Sequence, residues 1–139
     1  MAADTRSVLV VEDDPEINAM VGTYAELCGF QYRSALTGMR ALDEITQKPP
    51  SLVVLDLMLP DLDGFEICSR IKSADATRHI PIIMLTALSG EQNRERGYRC
   101  GAVDYLTKPF DPDKLMASME RHARFSRGEA QSHDQPRVE

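Results

Sequence analysis

Residues 52–64 read LVVLDLMLPDLDG. Leu52 to Leu55 form an unbroken apolar run, Asp56 interrupts it, and Leu57 to Leu59 resume it. Strands covered on both faces read as continuous aliphatic runs. A carboxylate set among such residues is costly to bury unless another group compensates its charge. Asp56 is therefore expected at the end of a buried strand, facing a partner supplied from elsewhere in the chain.

Working outward from this stretch, the same arrangement recurs. Ser7–Val11 is an apolar run followed by Asp14-Pro15-Glu16, an N-cap acid with proline at the first helical position. The helix that follows carries Ile17, Met20, Val21, Tyr24 and Leu27 at helical spacing, and Gly29 is a natural stop. Residues 30–35 read as a strand with Gln31 and Arg33 interleaved, and 37–48 as a helix with Met39, Leu42 and Ile45 on one face, closed by Pro49-Pro50. After the 52–55 strand, Asp63 with Glu66 resembles a capping box for a helix through Lys72. Residues 80–85 are apolar, and Ser89 with Gln92 opens a weaker helix. Residues 102–106 form the last strand, and Asp111-Pro112 opens a helix carrying Leu115, Met116 and Met119.

Five strand–helix units with short connections predict an α/β fold: a doubly wound, five-stranded parallel sheet with helices on both faces. The second strand alternates and the fifth carries Asp104, so these two are the expected edges. Edges at two and five suit the flavodoxin-like (βα)5 order 2-1-3-4-5. Residues 1–125 are read as one domain. Residues 126–139, nearly devoid of apolar side chains, are read as a disordered tail or the start of a linker.

The totals narrow the function. A net charge of −6 argues against a nucleic-acid surface covering the whole domain, so no direct nucleic-acid binding is expected. Cys28, Cys68 and Cys100 lie far apart without a CxxC pair, which favours apolar fillers over a disulfide framework or a zinc site. No apolar leader opens the chain and no stretch is long enough to span a bilayer, so the expected location is cytoplasmic, with no membrane partner.

In sheets of this kind ligands bind at the C-terminal ends of the strands. There stand Glu12 and Asp13, Asp56, Thr86 and Lys108. Three converging acids repel one another unless a cation intervenes, and all-oxygen ligands favour Mg2+. Mg2+ beside a carboxylate, a hydroxyl and an ammonium is equipment for phosphoryl transfer onto Asp56. Asp14 keeps the plainer role of helix cap. A capping acid is the ordinary reading of any one of these residues; their joint occurrence on one sheet edge is what points to chemistry.

VLVVEDD (8–14), VVLDLMLPDLDG (53–64), IIMLTA (82–87) and YLTKPF (105–110) together resemble the receiver domain of bacterial two-component response regulators. The resemblance covers roughly residues 6–124. It implies that Asp56 accepts a phosphoryl group from a sensor histidine kinase or phosphotransfer protein. It also implies that Asp13, Asp56 and the Met58 carbonyl bind Mg2+ directly, with Glu12 acting through water. Thr86 and Tyr105 would form a switch pair, the hydroxyl moving to the phosphoryl group and the ring swinging inward, and Lys108-Pro109 would be a cis peptide. The output surface would be built from the fourth helix, fifth strand and fifth helix. Arg94 and Asp104 match the charge pattern of receivers that dimerise through that surface, whereas Arg99, Cys100, Val103, Lys114, Ser118 and Phe125 depart from it. A monomer or weak dimer is the resulting expectation, with no room in these residues for a DNA-binding domain.

The expected function is a phosphorylation-activated signalling switch rather than an enzyme. The alternatives are an aspartyl-phosphate phosphohydrolase on the same fold, or the receiver fragment of a longer multidomain regulator. A phosphohydrolase needs a general acid two residues after its nucleophile, and Met58 occupies that position. A nucleotide or flavin module lacks its glycine-rich loop. An EF-hand reading of Asp61-Leu62-Asp63-Gly64 lacks the remaining ligands.

Overall fold

The computed structural model describes residues 6–128. Five strands, β1 (Ser7–Val11), β2 (Gln31–Ala35), β3 (Leu52–Leu55), β4 (Ile82–Thr86) and β5 (Asp104–Thr107), alternate with five helices: α1 (Pro15–Leu27), α2 (Gly38–Gln47), α3 (Gly64–Ser73), α4 (Glu91–Arg99) and α5 (Pro112–Gly128). All pairings are parallel and the order is β2-β1-β3-β4-β5, as the polar character of the second and fifth strands predicts. The tail expected from residue 126 begins within α5, which runs to Gly128, and the rest of it lies outside the described residues.

Because successive strand side chains point to opposite faces, each strand feeds two cores. Leu9 and Val11 join Val53, Leu55 and Met84 under α2 and α3, while Val8 and Val10 join Leu52, Val54 and Ile83 under α1 and α5. The ladders continue past the strand ends. The Glu12 N–H donates to the Ala35 carbonyl at 3.1 Å, Asp56 to Val11 at 2.9 Å and Lys108 to Thr86 at 2.8 Å. Three of the chemistry-bearing residues are thus placed by main-chain bonds to a neighbouring strand.

Local chemistry sets the helix starts, with corrections to the expectation. Asp14 caps α1 by accepting from the Glu16 and Ile17 N–H groups, as expected. Asp63 caps α3 by accepting from Phe65, but Glu66 pairs with Arg70 at 2.7 Å instead of closing a reciprocal box. Ser89 does not cap α4; Gly90 does, at φ 102°, with no side-chain hydrogen bond. The reason is upstream: the Leu88 main chain is tied to Thr86 and Tyr105, so the turn falls one residue later. Ile80 belongs to the loop before β4, its N–H bonded to Thr77 at 3.0 Å, and Pro81 has no N–H to give a ladder.

The buried face of α1 also differs from the expected one. Asn18, Val21, Gly22 and Ala25 face the sheet, leaving Leu27 71% exposed. Small residues let the helix lie close to the strands. The bulkier Ile17, Met20 and Tyr24 instead line a groove beside Lys108, Pro109 and Phe110. On α2 the same holds: Gly38, Ala41 and Ile45 are buried while Met39 is exposed.

Candidate functional site

At the C-terminal edge of the sheet, Glu12, Asp13 and Asp56 each present a carboxylate oxygen, and these atoms all lie within 4.8 Å of one another. Among the described residues no other group of three acids, histidines or cysteines converges in this way. Glu12 and Asp56 are only 4% and 6% exposed, whereas Asp13 is on the surface. The ammonium of Lys108, from the far edge strand, reaches across to both buried acids. It bonds Glu12 Oε1 closely and stands 3.2 Å from Asp56 Oδ2. Lys108 is therefore the charge partner that the apolar surroundings of Asp56 require. The Lys108–Pro109 peptide is cis.

Glu12 and Lys108 respond to this crowding. Burial lifts the Glu12 carboxyl above the usual carboxylate range, against the pull of its bonds to Lys108 and to the Asp14 N–H. Burial acts against the Lys108 charge, yet the bond to Glu12 and the nearby Asp56 leave its pKa raised overall. An all-oxygen donor set with one exposed member suits a hard divalent cation that keeps part of its water shell.

Neighbouring main chain holds the acids in place. The Met58 N–H donates to Asp56 Oδ1 at 3.2 Å, and the Asp14 N–H to Glu12 Oε2 at 3.0 Å. Met58 pairs with Asp63 through an isolated bridge, which folds the loop after β3 back on itself and leaves the Met58 side chain exposed. Asp61 lies in the same loop and accepts from the Gly38 and Met39 N–H groups at 2.8 and 2.9 Å. These bonds lower its pKa and cap α2 from another part of the chain. Asp61 is thus a structural anchor, not a ligand of an EF-hand.

Thr86 is wholly buried, and its Oγ1 accepts from the Leu88 N–H at 3.3 Å. Tyr105 already lies inside: it is 1% exposed, and its hydroxyl donates to the Leu88 carbonyl at 2.7 Å. Burial raises its phenol pKa, which the Arg94 guanidinium over the ring opposes. Thr86 and Tyr105 thus meet through one residue, Leu88. The fold brings Glu12, Asp13, Asp56 and Lys108 into one cluster, with Met58 bonded to it through the main chain.

Asn18 was missed by the sequence reading. It is buried, and its amide bonds the Val10, Glu12 and Ala35 carbonyls where β1 and β2 end. The available signal was a lone amide in register with Val21, Gly22 and Ala25, the helix positions that face the sheet.

Residues 8–120 match the family model described as the response regulator receiver domain. The chain is 44% identical to the transcriptional regulatory protein GltR of Pseudomonas aeruginosa, over 91% of this chain and 53% of that protein. It is 41% identical to the DNA-binding dual master transcriptional regulator RpaA of Synechocystis, over 79% of this chain and 46% of that protein. The chain thus spans about half the length of these curated relatives. Among solved structures, the Francisella response regulator 1452 receiver domain superposes with a TM-score of 0.82 at 31% identity, covering 88% of this chain and 99% of that one.

Proposed function

We propose a role for each residue of the site from one premise: this chain belongs to the response regulator receiver domain family and is a phosphorylation-dependent signalling switch. Asp56 is the phosphoacceptor. Its carboxylate oxygen attacks the phosphorus of a phosphohistidine on a sensor histidine kinase or phosphotransfer protein. The P–N bond breaks and its electron pair returns to the imidazole. Asp13, Asp56 and the Met58 carbonyl would hold Mg2+, with Glu12 acting through water, and the ion would supply positive charge to the phosphoryl oxygens. Uptake is self-catalysed, without turnover on an external substrate.

The observation that carries this reading is the Lys108 ammonium lying between Glu12 and Asp56 beside a third carboxylate. Phosphorylation would give Asp56 close to two negative charges and three acceptor oxygens. Lys108 can then transfer its bond from the carboxylate to a phosphoryl oxygen, and the Thr86 hydroxyl can donate to another. Moving Thr86 pulls on Leu88, which holds Tyr105. Phosphorylation in this account stabilises the inward ring rather than creating it, and the α4-β5-α5 face carries the result to a target.

The test is labelling by acetyl phosphate with Mg2+. Label is expected at Asp56, lost in Asp56→Asn and prevented by EDTA. Undiminished, acid-stable label on the Asn variant would overturn the assignment.

The relatives' names and the half-length match favour a second reading, in which these residues are the phosphoacceptor part of a longer transcriptional regulator. Asp104 is held within the chain by Ser118 at 2.7 Å and by Tyr98 at 3.4 Å. That engagement supports a monomer or weak dimer over charge pairing between copies. Sedimentation of the phosphorylated chain checks it, with a tight dimer as the contrary outcome.

A further inference from the structure

The acids Glu12 and Asp13 sit where β1 leaves the sheet, a place where main-chain bonding normally ends. Here it does not end. The Glu12 N–H is bonded to Ala35, and the Glu12 carbonyl accepts from Asn18 Nδ2 at 3.0 Å. The same amide nitrogen lies 3.1 Å from the Val10 carbonyl and 3.3 Å from the Ala35 carbonyl. Two N–H groups therefore reach three carbonyls at the end of the β1–β2 ladder, and the Ala35 carbonyl accepts from Glu12 as well. The other end of the amide is equally committed, since Asn18 Oδ1 accepts from the Tyr32 hydroxyl.

This donor pattern fixes which way the amide points. Reversed, it would set an oxygen against three carbonyl oxygens, whereas the Tyr32 hydroxyl can donate or accept and suits either orientation. Tyr32 is itself held in place because its ring lies across Gly22, where even a Cβ would come within 2.5 Å of the ring. A line of contacts therefore runs from Gly22 through Tyr32 and Asn18 to the Glu12 main chain, ending between the two acids at the start of the site.

We infer that Asn18 is a positioning residue for the Glu12–Asp13 acid pair, acting through the Glu12 backbone, and that Tyr32 holds the far end of its amide in place. The inference rests on the reading of these acids as a Mg2+ site. Neither Asn18 nor Tyr32 touches the ion or the phosphoryl group. Their role is to keep the backbone between the two carboxylates from relaxing, so that both oxygens remain close enough to share one cation. Outer residues that orient metal ligands commonly change affinity about 10–100-fold when removed.

The test measures Mg2+ affinity by calorimetry alongside thermal unfolding in EDTA, so that binding and folding are read separately. Asn18→Ala and the isosteric Asn18→Asp should each weaken Mg2+ by about tenfold or more. Tyr32→Phe, which removes one hydroxyl and keeps the ring over Gly22, should weaken it by a smaller factor. Val21→Ala supplies the comparison: it leaves a cavity on the same face of α1 and should lower the melting temperature while leaving Mg2+ affinity unchanged. Native Mg2+ affinity in folded Asn18→Ala, with Asp13→Asn impaired, overturns the positioning role and leaves the metal site standing. Native affinity in Asp13→Asn overturns the metal site, and the positioning role with it. If both Asn18 variants fail to fold, Tyr32→Phe decides: Mg2+ affinity equal to native overturns the inference.

Discussion

The Tyr105 hydroxyl donates to the Leu88 carbonyl at 2.7 Å, and this bond seats the ring beneath Gly97 of α4. A Cβ at Gly97 would lie 2.8 Å from both the ring and the Met84 sulfur. The inward ring and α4 are therefore in direct contact, and the helix cannot come closer to the sheet while the ring stays inside.

Gly97→Ala should consequently force the ring or the helix outward. We expect a loss of about 1–3 kcal/mol, the range for overpacking, in urea unfolding of the unphosphorylated chain. Proton NMR of the Tyr105 ring should show a changed environment. An unshifted ring signal with unchanged stability would mean that α4 accommodates the methyl freely.

Lys108→Ala should bind Mg2+ at least as tightly as the native chain, because the ammonium now engages Glu12 and Asp56, two of the acids assigned to the metal. The same change should leave the phosphorylated chain a poor binder of its target, since the contact from β5 to the phosphoryl group is lost. Calorimetry and a target-binding assay check the two halves separately. Normal target binding by the phosphorylated variant would reduce Lys108 to a counter-ion.

Asp61 gives a prediction in pH. Its pKa is lowered from the usual 3.8 by the Met39 and Gly38 N–H groups it accepts from. A carboxyl with a lowered folded-state pKa adds stability above its unfolded value, and that stability is lost as pH falls through the folded value. Asp61→Asn should therefore be less stable than the native chain at neutral pH. The difference should shrink on acidification below 3.8. A gap that stays constant through acid, measured by urea unfolding at each pH, would show that the charge of Asp61 does not matter.

Decay of the phosphorylated form should be slow. Met58 and Leu88 stand two residues after Asp56 and Thr86, and neither side chain can orient a water by hydrogen bonding. Met58→Asn with Leu88→Glu should speed decay by about one to two orders of magnitude, or roughly 1.4–2.7 kcal/mol of barrier. Met58 is exposed and Leu88 packs against the core, so Met58→Asn alone is the gentler test. Phosphoprotein decay in Mg2+ after removal of the kinase is the measurement. Faster decay in the native chain would place control of the water elsewhere.

The strand order was legible because burial leaves a direct trace: central strands cannot carry Gln31, Arg33 or Asp104 in the way edge strands can. The clustering of Glu12, Asp13, Asp56 and Lys108 was legible because parallel strands all end at one edge. What stayed hidden depends on contacts distant in sequence. Asp61 caps a helix that begins 23 residues earlier, and Asn18 bonds a carbonyl 17 residues away. No local pattern announces the first, and the register of Asn18 with Val21, Gly22 and Ala25 is the only trace of the second. The sheet-facing stripe of α1 was misread for a related reason: close packing on a sheet selects small residues such as Gly22 and Ala25, which weigh little in a hydrophobic pattern.

The construction of α4 has a consequence for how the molecule opens. This helix buries a single residue, Gly97, whereas α1 buries four. Two arginines add further contacts. Arg94 lies over the Tyr105 ring and bonds its carbonyl at 3.3 Å, while Arg96 lies 4.0 Å above the Phe65 ring and 3.8 Å from Asp63. Local opening begins where little apolar surface is lost, and contacts between exposed charges are screened by salt. The amide hydrogens of α4 should therefore exchange with solvent earlier than those of α1, and added salt should hasten their exchange while leaving the strand amides protected.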